Sequence, residues 1–115
     1  MTFAEFKAGQ PAQAIFRKLG LEEYLAAATS WRMLRALIVK FNDPDVGHFV
    51  KLVRQCDGVC SSGERILLHA IATVCDFAWL ADEVAGKKCT WQNMGRAGGD
   101  WLRAVAACIL ALDEV

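Results

Sequence analysis

One stretch limits what this chain can fold into: residues 61–86, SSGERILLHAIATVCDFAWLADEVAG, which is apolar around most of a helical circumference. At 100° per residue, Ile66, Leu67, Ala70, Ile71, Val74, Phe77, Ala78, Ala81 and Ala85 fall on one wide arc. Leu68, Cys75 and Trp79 widen it further, leaving a narrow polar strip of Arg65, His69, Thr73, Asp76 and Glu83. Ser61 or Ser62 is placed to act as N-cap, and Gly86 to take the left-handed position after the last turn. So apolar a helix in a chain of 115 residues must sit among several neighbours. The expectation is an all-α fold: a compact bundle of five to six helices around a long central apolar helix at 61–86.

The remaining segments fit that frame. Pro11 suits the first turn of a helix that Gly20 stops, and Glu22 and Glu23 open the next. Ser30 reads as the N-cap of WRMLRALIVKF, with Trp31, Leu34, Ile38 and Phe41 on one face. Asp43 then caps and Pro44 opens a further helix carrying Val46, Phe49, Val50 and Val53 at helical spacing. CDGVCSS (56–62) reads as a link into the long helix. Residues 87–99, KKCTWQNMGRAGG, are the least regular stretch. Asp100 is placed to cap a last helix, whose Ala104, Ala107 and Ala111 would let a neighbour approach closely. No segment alternates in the manner of a strand.

Composition narrows the class. A hydrophobic share of 55% excludes disorder, and the length suits one domain over residues 1–115. The longest uncharged run, between Arg65 and Asp76, falls short of the roughly 20 residues that span a bilayer. MTFAEFKAGQ lacks the basic-then-apolar layout of a signal peptide, so a cytoplasmic location is expected. Net charge is zero but uneven: residues 1–55 carry eight Lys/Arg against five Asp/Glu, and residues 56–115 the reverse. Five cysteines without a secretory context read as reduced thiols rather than a disulfide framework.

Four groups of residues are candidates for chemistry or binding. His48, Cys56, Cys60 and His69 have the donor types of a tetrahedral zinc site but lack a second Cys-x2-Cys knuckle, so no metal and no cofactor is expected. Arg65, His69 and Asp76 lie on one line of the long helix, as a solvent edge, a satisfied polar seam or a His–carboxylate base. No nucleophile motif or phosphate loop accompanies them. Arg32, Arg35, Lys40 and Arg54 give the N-terminal half a basic character that a nucleic acid would find attractive.

The fourth group leads. Of four tryptophans, Trp79 and Trp91 are the best candidates for exposure, and an exposed Trp anchors interfaces. Trp79, Asp82 and Glu83, with Lys87, Lys88, Trp91, Met94 and Arg96 of the irregular stretch, form the expected partner-docking surface. The functional expectation is a non-enzymatic protein-interaction module, an adaptor, regulatory subunit or small inhibitor, with homodimerisation plausible. The alternatives are a small metal- or ligand-binding helical protein centred on His69, and a weak nucleic-acid binder.

Overall fold

A computed structural model describes residues 1–86 and 90–115, and among them all regular structure is helical. The order is α1 (Phe3–Ala8), α2 (Gln10–Leu19), α3 (Glu22–Ala27), α4 (Trp31–Asn42), α5 (His48–Val59), α6 (Ser62–Val74), α7 (Ala78–Ala85), α8 (Thr90–Asn93) and α9 (Gly99–Leu110). Short 3₁₀ turns follow at Met94–Arg96 and Ala111–Glu114. The all-α class stands. The helices are shorter and more numerous than the five to six expected, because a sharp turn divides the span at 61–86 and a short helix forms within the stretch expected to be irregular.

The expected helix over 61–86 is the main case. It begins where the sequence places it: Ser61 Oγ accepts from Glu64 N, and the Glu64 carboxylate accepts from Ser61 N, a reciprocal capping box. It does not run through. Asp76 turns left-handed at φ 76°, and Phe77 N donates to Ala72 O while Asp76 N donates to Thr73 O. This is a Schellman stop with Asp76 in the place glycine usually takes. Phe77 is then buried, its ring centroid 4.9 Å from that of Phe49, and α7 begins at Ala78. The span is two helices.

Two other boundaries move. α5 starts at His48 rather than Pro44, since Asp43 takes φ 52° at the end of α4. The Asn42 side chain caps α5 instead, accepting from Phe49 N and Val50 N at 3.0 and 3.1 Å. At its other end α5 continues through Cys56, Asp57 and Gly58, so most of the expected link is helix. Ser30 caps α4 as expected, accepting from Met33 N.

The core gathers around α6, buried continuously from Ile66 to Ala72 and packed against α2, α5, α7, α8 and α9. Phe6, Ile15, Phe16, Leu34, Ile38 and Phe49 of the N-terminal half belong to the same buried cluster, each worth roughly 1.5–3 kcal/mol of burial. Ala104, Ala107 and Ala111 are buried as well, and α9 lies close along α6. No helix of the described residues is long and apolar enough to cross a membrane.

Candidate functional site

Arg65 and His69 stand one turn apart on α6, and both reach the same α5 residue, Asp57. His69 Nε2 is 2.7 Å from Asp57 Oδ1, and the Arg65 guanidinium donates to the Asp57 backbone oxygen at 3.1 and 3.3 Å. Arg65 Nε is also 3.3 Å from Oδ1. The alignment of Arg65 with His69 is therefore as read from the sequence, but their acid is not. Asp76 lies beyond the Schellman stop, where it pairs with Arg35 at 2.9 Å. Asp57 was missed because its stretch reads as a turn, and a turn residue gives no helical register to align with His69.

His69 is the one buried polar side chain among the described residues, 4% exposed. A carboxylate only accepts, so the proton on this contact is on Nε2. Nδ1 is then an acceptor in the neutral ring or a second donor in the imidazolium. It has no partner among the described residues, although the atom is out of contact with solvent. An unsatisfied buried nitrogen costs about 1–3 kcal/mol, so its retention demands a reason.

Two cavities meet at this histidine. The larger is a groove of about 540 Å³, with Ile66 and Ala70 of α6, Ala81 and Ala85 of α7, and Val105 and Ile109 of α9 along it. Trp91 and Met94 stand beside it, with Asp82 at its α7 side. The space exists because alanines at 70, 81 and 85 occupy positions where larger side chains would fill it. The smaller is a polar chamber of about 60 Å³ bounded by Ser62, Arg65, Asn93 and Arg96, sharing Ile66, His69 and Ala85 with the groove. Gly63 holds this end together: a Cβ there would lie 2.9 Å from Arg96 O. The chain at 94–97 rests directly on the first turn of α6, and the Arg96 guanidinium reaches Ser62 Oγ at 3.4 Å.

The expected docking residues divide. Trp79 and Trp91 are exposed at 53% and 73%. Trp91, Met94 and Asp82 border the groove, and Arg96 the chamber. Glu83 faces away, held by Arg54 in a two-pronged ion pair at 2.8 and 2.9 Å. Lys87 and Lys88 lie outside the described residues. Of the basic group, Arg35 and Arg54 are paired with Asp76 and Glu83, while Arg32 and Lys40 are exposed.

The four candidate metal ligands are not brought together. His48 is exposed with its ring 5.6 Å from that of Phe41, and His69 Nε2 is engaged by Asp57. Cys56 and Cys60 are buried, their sulfurs 3.5 Å apart. Burial pushes the Cys56 thiol up to about 12, with the Cys60 contact adding to it, and burial raises Cys60 as well. These thiols are poor nucleophiles and poor ligands at neutral pH. Among the described residues no group of three or more His, Cys, Asp or Glu is gathered for a metal.

No family model, no curated protein and no solved structure matches this chain.

Proposed function

We propose that the protein is a non-enzymatic, ligand-binding helical protein whose site is the groove between α6, α7 and α9, centred on His69. The observation that carries this reading is the buried His69, which borders both groove and chamber, is held by Asp57 through Nε2, and has an Nδ1 without a partner among the described residues. Small-molecule sites run to about 300–1,000 Å³ and set a few polar groups in apolar walls. The groove has that size and make-up. Catalysis lacks support: Thr73, the one hydroxyl side chain bordering the groove among the described residues, donates its Oγ1 to His69 O at 2.8 Å.

Filling the space tests the reading. Ala81→Leu puts new apolar volume into the groove, where burial of three carbons offsets modest repacking. The expected result is an unchanged or slightly raised melting temperature and loss of one-to-one binding of an apolar fluorescent dye. Undiminished dye binding by the variant would mean that the groove is not the site.

A second reading keeps the protein-interaction module. It is favoured by the exposed Trp79 and Trp91 and by Leu102, Ile109 and Leu110 of α9, which together leave much apolar surface facing solvent. A homodimer through α9 would cover it. Because Trp91 is 73% exposed, Trp91→Ala should shift stability by less than about 1 kcal/mol rather than the 3–5 kcal/mol of a core truncation. Sedimentation of Leu110→Asp as monomer beside a dimeric parent would support this reading; a monomeric parent at all concentrations counts against the homodimer.

A further inference from the structure

The groove and the chamber differ in character, and the difference specifies a ligand. The groove is apolar, and its acidic side chain, Asp82, stands on α7 away from the chamber lining. The chamber is small and basic. At about 60 Å³ it has room for a few water-sized atoms, each needing about 10–15 Å³. Two arginines border it. Arg65 is engaged by Asp57, but Arg96 makes no ion pair among the described residues, its one hydrogen bond being to Ser62 Oγ. Ser62 opens the first turn of a thirteen-residue helix, whose partial positive charge adds to that of the arginine. His69, which borders the chamber and whose buried Nδ1 has no partner among the described residues, completes the set.

We propose, resting on the ligand-binding reading above, that the site takes a monomeric fatty carboxylate. The hydrocarbon chain lies in the groove, and the carboxylate enters the chamber between Arg96 and His69. Nδ1 of a protonated His69 donates to one carboxylate oxygen, and the Arg96 guanidinium reaches the other. Asp82 sets the direction, since the reverse orientation would bring two carboxylates together. The Asp57–Arg65 pair keeps the imidazole in place while its far nitrogen receives the ligand. A neutral alcohol leaves the Arg96 charge unanswered.

Calorimetric titration of the full chain with decanoate and with decanol, both below their aggregation limits, tests the assignment. One decanoate per chain is expected, with decanol at least tenfold weaker. Arg96→Met, at an exposed position, should weaken decanoate at least tenfold and leave decanol unchanged. The chain has two histidines, so nitrogen resonances of His69 should move with decanoate while exposed His48 serves as control. Binding of acid and alcohol with equal affinity overturns the carboxylate head but leaves the groove reading standing. Decanoate affinity unaffected by Arg96→Met, or a still His69 resonance, overturns the placement of the head. Binding of neither compound overturns both the assignment and the ligand-binding reading.

Discussion

Asp57 ties together two side chains that reach it from successive turns of α6. Removing its carboxylate leaves the His69 Nε2–H without an acceptor inside the fold and takes the Oδ1 contact from Arg65, which keeps the backbone oxygen. Asp57→Ala should therefore cost about 3 kcal/mol, the range for a buried hydrogen-bonded charge stripped of its partner. Asp57→Asn keeps an acceptor oxygen and should cost less; chemical denaturation of the two variants checks the order. The cysteines make a separate prediction. Burial pushes Cys75 from the ordinary 9.0 up to about 12, as it does Cys56, and Cys108 rises well above its ordinary value. An unfolded chain gives up these protons near pH 9, while the fold holds them. The contribution is complete below about pH 9 and drains away between about 9 and about 12. Melting followed across that window should fall steeply, and Cys75→Ala should flatten the fall. Of this residue-level picture the sequence carried Arg65 and His69 on one face, because helical spacing is local. It did not carry Asp57, twelve positions before His69 on a different helix.

At the scale of elements, the informative place is the turn that separates α6 from α7. The apolar pattern continues across it, since Phe77, Leu80 and Ala81 are all buried whichever way the chain runs. Periodicity reports burial, and burial is the same on both sides of the turn. Glycine would have announced the stop, as Gly20 does after α2, where Leu21 N donates to Phe16 O in the same pattern. Asp76 hides it, because aspartate tolerates the left-handed region without advertising it. A reversal of the usual helix ranking follows. Within a continuous helix Ala is about 1 kcal/mol better than Gly. At Asp76, with φ 76°, a Cβ is penalised by about 1–2 kcal/mol, so Asp76→Gly should melt above Asp76→Ala. Both variants lose the half-exposed pair with Arg35, which cancels from the comparison. Ala melting above Gly would restore the unbroken helix.

At the scale of the molecule, the uneven charge of the two halves acquires an internal use. Lys18 pairs with Glu64 at 2.7 Å, Arg35 with Asp76 at 2.9 Å, and Arg54 with Glu83 at 2.8 Å. Each joins a base of the first half to an acid of the second. The sequence showed the imbalance but not the pairing, because the partners are brought together only by packing of α2, α4 and α5 against α6 and α7. These pairs are largely exposed, so each is weak alone. Their collective mark is in acid. The Lys18 contact, with the Ser61 cap, holds the Glu64 carboxyl below its ordinary 4.5, and the Arg54 contact holds Glu83 below it. Unfolded, both carboxyls take up protons near 4.5; folded, they resist until lower pH. Their contribution is present above about 4.5 and is lost as pH falls through the folded values. Removing the bases removes the cause. The double variant Lys18→Met, Arg54→Met should melt below the parent at pH 7 and converge on it in acid. The gap at pH 7 should also narrow in molar salt, where screening shortens to about 3 Å. Parallel acid limbs for parent and variant would mean that Lys18 and Arg54 do not depress the two carboxyls, and that the two halves are joined by apolar packing without electrostatic help.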